Sequence, residues 1–299
     1  MHLPIRLVLA LWILAVGLLA QGAAESRPAT APSRKPVVSV IGASVSAGFS
    51  CTAMGIGDPD HNQTMPLRRA LEAVWPKDQV EIRDHSNQLT FLNPIEHGTR
   101  QVRQAVKDKP ALVLGLDFPF WFGYGRVLAG RDGELAARLT LLEKGLTLLD
   151  QIEVPLVIGD FPDMSGADAR MLPPQLIPAA PMLAALNERL RNWVKARTHV
   201  RLFSLAAHVV LAREGGGRVE VGGRPRTLSA RVMLQDDLLH ATRLGVAYLA
   251  FTTLPVMVEA LPATSPLRRA RPAFDEFVET LELGGELPVE AAASRPAGK

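Results

Sequence analysis

The sequence predicts a single α/β domain in which a parallel sheet is covered by helices on both faces, and three observations predict it. From Val37 onward, apolar runs of strand length alternate with longer stretches of helical periodicity, the pattern of βαβ units. The chain has 299 residues, 47% of them apolar and 21% charged, which is enough to bury a sizeable core. No internal repeat and no linker divides it.

Taken in order, residues 1–24 have the make-up of a signal peptide. Arg6 supplies a short positive region, Leu7 to Ala20 is apolar throughout, and Gly22, Ala23 and Ala24 offer a small-residue cleavage site. The apolar run is shorter than the roughly 20 residues a spanning helix needs. Export followed by cleavage, with no stable membrane insertion afterwards, is the expectation, and an uncleaved N-terminal tether is the alternative. Residues 25–36, rich in Ala, Pro, Ser and Arg, suit a disordered leader. The domain then runs over 37–261. Its strand candidates are Val37–Gly42, Gln79–Arg83, Ala111–Gly115, Pro155–Gly159 and Val200–Phe203. Its helical stretches lie near Pro66–Val74, Thr99–Lys107, Glu134–Gln151, Ala179–Arg197 and Ala241–Glu259. Two segments interrupt the rhythm: the Gly-, Asp- and Asn-rich Ser50–Thr64, and Glu214–Arg226, whose paired glycines predict a small hairpin. Residues 262–299 are expected to form a surface helix followed by a disordered tail.

Charge and cysteine usage exclude several function classes. Thirty-three Lys and Arg against 30 Asp and Glu leave a net +3, without the basic stripe of a nucleic-acid binder. The single Cys51 excludes an internal disulfide framework and a cysteine-based structural zinc site. Asp58, Asp60 and His61 lie close together but lack a metal-ligand pattern, so no metal and no organic cofactor is expected.

In open α/β sheets the reactive groups gather at the carboxyl ends of the strands. The first strand runs into Gly42-Ala43-Ser44-Val45-Ser46-Ala47-Gly48, which places a serine on a Gly-flanked turn at the sheet edge. Far downstream, Asp237-Leu238-Leu239-His240 sets a carboxylate three residues before a histidine. A nucleophilic serine needs a histidine to take its proton, and the histidine needs a carboxylate to orient it. Ser46 is the competing hydroxyl and Asp236 the competing carboxylate. Asp160, after another strand, suits a turn cap better than a catalytic role.

On these residues the chain resembles the SGNH/GDSL hydrolases, serine esterases and lipases built on a flavodoxin-like three-layer sheet. Gly42, Ser44 and Gly48 match the family's first block, with Ala43 where that block has an aspartate, and Asp237 and His240 match its last. The resemblance implies Ser44, Asp237 and His240 as catalytic residues. It also implies an oxyanion hole made from the Ser44 amide, a glycine amide for which Gly98 is the candidate, and a side chain at the position of Asp117. The family has an asparagine there. An ionised carboxylate has no proton to donate, so Asp117 either stays protonated or serves a structural hydrogen bond while the donor comes from elsewhere. Phe118, Phe120 and Trp121 head an aromatic run that suits either a substrate pocket or ordinary core packing.

The function implied is an exported serine esterase whose substrate is a small ester, a lipid or an acylated glycan. The rival is a degenerate domain of the same fold that binds such a ligand without turnover, with Ala43 and Asp117 as its support.

Overall fold

The protein is described by a computed structural model covering residues 35–128, 133–269 and 271–287. Residues 1–24, read as a signal peptide, the leader up to residue 34 and the tail from 288 lie outside the described residues. Five parallel strands form the central sheet: β1 (Val37–Val40), β2 (Glu81–Asp84), β3 (Leu112–Gly115), β4 (Leu156–Gly159) and β5 (Val200–Phe203). Their order is β2-β1-β3-β4-β5, a doubly wound arrangement of the flavodoxin-like type. In register, Val38 faces Ile82 on one side and Leu112 on the other.

Strands β1, β3 and β4 are buried at all four positions, as expected where helices cover both faces of a parallel sheet. Alternate side chains feed two cores. Val38, Val40, Leu112 and Leu114 pack with helices α2 (Leu67–Val74) and α9 (Arg243–Ala260). Ile41, Val113, Leu156 and Ile158 pack with α3 (Pro94–Asp108), α5 (Gly133–Leu149) and α6 (Ala180–Lys195). The short helices α1 (Ser44–Ala47), α4 (Phe120–Tyr124) and α8 (Ala230–Met233), together with α7 (Leu205–Glu214), stand around the carboxyl end of the sheet. Strands β6 (Gly217–Val221) and β7 (Arg224–Leu228) form the hairpin that the paired glycines predict.

One boundary shifts by more than a helical turn from the sequence expectation, and one helix is new. Helix α3 starts five residues before Thr99, because Asn93 caps it by accepting from the Glu96 amide and Pro94 occupies its first turn. Helix α7 was not among the expected helices at all. The larger difference concerns the tail. Helix α10 (Phe274–Thr280) is a surface helix with Glu276, Glu279 and Thr280 exposed, but its other side is core: Phe274, Phe277 and Val278 are buried in the α2/α9 core with Leu267, Leu281 and Leu283, so the core extends past residue 261. Their burial is worth about 1.5–3 kcal/mol for each large side chain, and the charged residues between them hid that pattern.

A charged cluster ties α3 to the sheet. Asp108, the last residue of α3, accepts hydrogen bonds from Ser39 Oγ (2.9 Å), Arg83 (2.6 Å) and His85 Nε2 (2.6 Å). Burial alone would raise its carboxyl, but the bonds from His85, Arg83 and Ser39 more than offset this and hold it below the usual range. A depressed folded value means that the contribution to stability is complete above the unfolded value of about 3.9 and is lost as pH falls through the folded one. Asp108→Asn is therefore expected to destabilise the domain by about 1.5–3 kcal/mol near neutral pH, the scale of hydrogen bonds to a charged group. In urea unfolding, its deficit against wild type should shrink steadily below about pH 4; a deficit independent of pH would refute this account.

Candidate active site

Gly42 ends the first strand segment at φ 158°, where a Cβ would lie 2.2 Å from the Asp117 carboxylate. The chain then turns into α1, which starts at Ser44 and stops at Gly48, a left-handed residue with φ 71° set against the Met65–Pro66 backbone. Ser44 thus stands at the first position of a single helical turn at the sheet edge. Asp117, buried just beyond β3, holds that turn. Its Oδ2 accepts from the Val45 and Ser46 amides (2.9 and 3.2 Å) and its Oδ1 from Ser46 Oγ (2.5 Å). Of the four amides in α1, Val45 and Ser46 are taken by Asp117 and Ala47 by the Ala43 carbonyl. These bonds leave the Ser44 N–H, beside the hydroxyl, as a first-turn donor.

His240 reaches the same point from the loop before α9. Its Nε2 is 3.0 Å from Ser44 Oγ, and its Nδ1 is 2.5 Å from Asp237 Oδ2. The second carboxylate oxygen accepts from the Leu239 and His240 amides, both at 3.0 Å. Burial opposes ionisation of Asp237, but the His240 hydrogen bond and charge and the two amides outweigh it and keep the carboxyl below its usual range. His240 and Asp237 are both buried, and Phe49 packs on the imidazole with ring centroids 4.8 Å apart.

The loop itself is braced from several sides. Gln235 accepts from the Cys51 amide and donates to the Phe49 and Ala241 carbonyls. Asp236 accepts from the Asp58 amide and from Asn62 Nδ2. The Asp168 amide donates to Asp237 O, and Arg213 donates to Leu238 O. The Ser50–Thr64 insertion is thereby a buttress for the histidine loop. Cys51, within it, is buried, and burial reinforced by the Asp237 charge pushes its thiol up to about 11.

The oxyanion reading of Gly98 needs correction at this point, whereas Asp117 takes the structural hydrogen bond and Asp160 the turn cap that the sequence allowed for them. Gly98 lies in the interior of α3, packed on Phe118, Phe122 and Leu148. An amide there belongs to the helix ladder rather than to an oxyanion; the glycine serves close packing. Asp117 does not present a donor to the site, since donors from α1 occupy both its oxygens. Phe118 is core, in contact with Phe122 at 5.4 Å between ring centroids. Ser46 is fully buried on Asp117, Asp236 is spent on the insertion, and Asp160 accepts from the Ala206 amide and Ser204 Oγ at the start of α7. Among the described residues no group of His, Cys, Asp or Glu is arranged to hold a metal.

A narrow apolar cavity, partly open to solvent, begins at Ser44 and is lined by Phe120 and Trp121 on one side. On the other stand α7, through Leu205, His208 and Val209, and α9, through Tyr248 and Leu249. The α7 wall is the part that sequence reasoning missed. Its signal was present: Leu205, Val209 and Ala212 fall at helical spacing, with His208 on the same face.

The fold and the site define a class: a flavodoxin-like α/β/α domain with a serine, a histidine and a buried aspartate in hydrogen-bonded series at the carboxyl edge of its sheet. No family model and no curated protein matches the sequence. Among solved structures it is similar to TesA, with 15% identity, a TM-score of 0.44 and coverage of 75% of this chain and 99% of that one. A protein of Bacteroides fragilis described as an acylhydrolase shares 13% identity, with a TM-score of 0.45 over 76% and 91%. The psychrotrophic esterase EstA from Pseudoalteromonas sp. shares 12% identity, with a TM-score of 0.37 over 83% and 97%. The fold assignment itself stands on the strand order and register.

Proposed function

We propose that the protein is a serine ester hydrolase of the SGNH type, exported by way of residues 1–24, that works by acyl transfer. The observation that carries this reading is the unbroken series Ser44 Oγ, His240 Nε2, His240 Nδ1, Asp237 Oδ2, with contacts of 3.0 and 2.5 Å. Its geometry suits general-base activation of a hydroxyl. Ser44 Oγ attacks the ester carbonyl carbon while its proton passes to His240 Nε2. The Ser44 N–H steadies the negative charge that develops on the carbonyl oxygen. As the tetrahedral intermediate collapses, His240 returns the proton to the departing alcohol. Water, deprotonated by the same nitrogen, then releases the acid. Asp237 stays ionised throughout and stabilises the imidazolium. The apolar cavity suits the acyl side of an ester.

A fluorophosphonate probe tests the reading directly, because it reacts only with an activated serine. Labelling of the folded wild type is expected, with complete loss in Ser44→Ala. Absence of labelling in a folded wild type would instead favour a domain that binds esters without turning them over.

A further inference from the structure

The wall of the cavity beside Ser44 is hydrocarbon over most of its extent, including Met164, Leu205 and Leu249. Besides Ser44, Asp117 and Trp121, the polar residues of this wall are His208 on α7 and Tyr248 on α9, with Nδ1 and Oη 3.2 Å apart. Each is held in place from outside the cavity. The His208 ring lies on Phe203 with centroids 4.7 Å apart and 7° between planes. The Tyr248 ring packs against Gly217 of the hairpin, where a Cβ would come within 2.5 Å of it. Leucine and phenylalanine at these two positions would have completed an apolar wall with no polar group to desolvate.

The bond between the two side chains leaves hydrogen-bonding capacity unused. His208 Nε2 has no hydrogen bond among the described residues, and a phenol oxygen that makes one bond retains further capacity. Burial lowers His208 and raises Tyr248 from their ordinary values, so both are uncharged near neutral pH. An uncharged pair that still offers a donor and an acceptor matches a neutral hydroxyl, which both accepts and donates; it does not match a carboxylate or phosphate. Trp121 on the opposite wall adds an independent sign. Its indole N–H is buried without an acceptor among the described residues, an arrangement native interiors rarely leave unexplained.

We propose that the cavity selects an acyl chain bearing a hydroxyl group, which the His208–Tyr248 pair receives. This inference rests on the reading of Ser44 as the acyl acceptor, and it names the substrate class of that site. The test compares decanoic acid with its monohydroxylated isomers in two arms: turnover of their p-nitrophenyl esters, and calorimetric binding of the free acids to folded Ser44→Ala protein. In each arm at least one isomer should exceed the unsubstituted chain by about tenfold, in kcat/KM or in affinity, the scale of one net hydrogen bond. Tyr248→Phe, which removes only the phenol oxygen, should bring that ratio to near one. His208→Phe, which keeps the stack on Phe203, should do the same. Equal binding of all the acids, or a preference that persists in both variants, overturns the proposal. Failure of fluorophosphonate labelling together with hydroxyl-selective binding would overturn the hydrolase reading and leave the hydroxyl subsite standing.

Discussion

Asp237→Asn should lower kcat by about four orders of magnitude while leaving the fold intact, the scale seen when the equivalent carboxylate of a Ser-His-Asp protease is amidated. The reason lies in how Asp237 is held. One of its oxygens accepts from two backbone amides, of Leu239 and His240, and the other faces His240 Nδ1. An asparagine must point its only oxygen at the two amides, since its NH2 group would otherwise meet two donors. The NH2 then faces Nδ1 and makes that nitrogen an acceptor, which moves the ring proton to Nε2. A protonated Nε2 donates to Ser44 Oγ and cannot take its proton. Steady-state kinetics on an activated ester, with circular dichroism to establish folding, checks the result. A loss of less than tenfold would remove Asp237 from the mechanism.

The second large effect is expected at Asp117, and it separates a truncation from an isosteric replacement. Asp117→Ala strips the acceptor from the Val45 amide, the Ser46 amide and the Ser46 hydroxyl, all at a buried or half-buried turn. An unsatisfied buried donor costs about 1–3 kcal/mol, so a loss of about 3–5 kcal/mol in stability follows, with fluorophosphonate labelling falling because α1 carries Ser44. Asp117→Asn behaves differently. Its oxygen can serve both amides, and its NH2 can donate to Ser46 Oγ, which accepts as readily as it donates. That variant should keep its urea midpoint and labelling rate close to wild type. Equal damage from both substitutions would mean that the negative charge, rather than the hydrogen bonds, matters at this position.

The parts of this molecule legible in the sequence are those governed by local rules. Strands β1, β3 and β4 announce themselves as short runs that are apolar but for Ser39, because both faces of a parallel strand are buried. Asp237 and His240 could be paired from their spacing, since one turn of loop brings a carboxylate to a ring nitrogen without help from the remaining fold. What the sequence hid depends on distant partners. The packing role of Gly98 is set by Phe118 and Phe122 across α3, and the inward aim of Asp117 by amides more than seventy residues away. Helix α7 follows β5 directly and its cavity-lining face mixes leucine with a histidine, which blurs its apolar periodicity. The Ser50–Thr64 insertion has the Gly-, Asp- and Asn-rich composition of a surface loop, yet its contacts to Gln235 and Asp236 brace the histidine loop. Such contacts leave no mark on local composition.

The packing of α10 bears on the order in which the domain can form. Trp75, in the first third of the chain, is fully buried and donates its indole N–H to the carbonyl of Leu267, 192 residues later. Phe274 and Phe277 close on Phe251 of α9 at 4.9 and 6.0 Å between ring centroids. The sheet can pair and take on α2 and α9 as they emerge during synthesis, but the outer side of those two helices stays open until Leu267, Phe274, Phe277 and Leu283 arrive to cover it. Until then the nascent chain carries an apolar surface with no partner, the kind of species that holding chaperones bind and that aggregates when they are absent. Shortening the protein before Leu267 therefore removes more than a tail: it fixes the molecule at that unfinished stage, with Ser44, His240 and Asp237 all present and the layer beneath them uncovered.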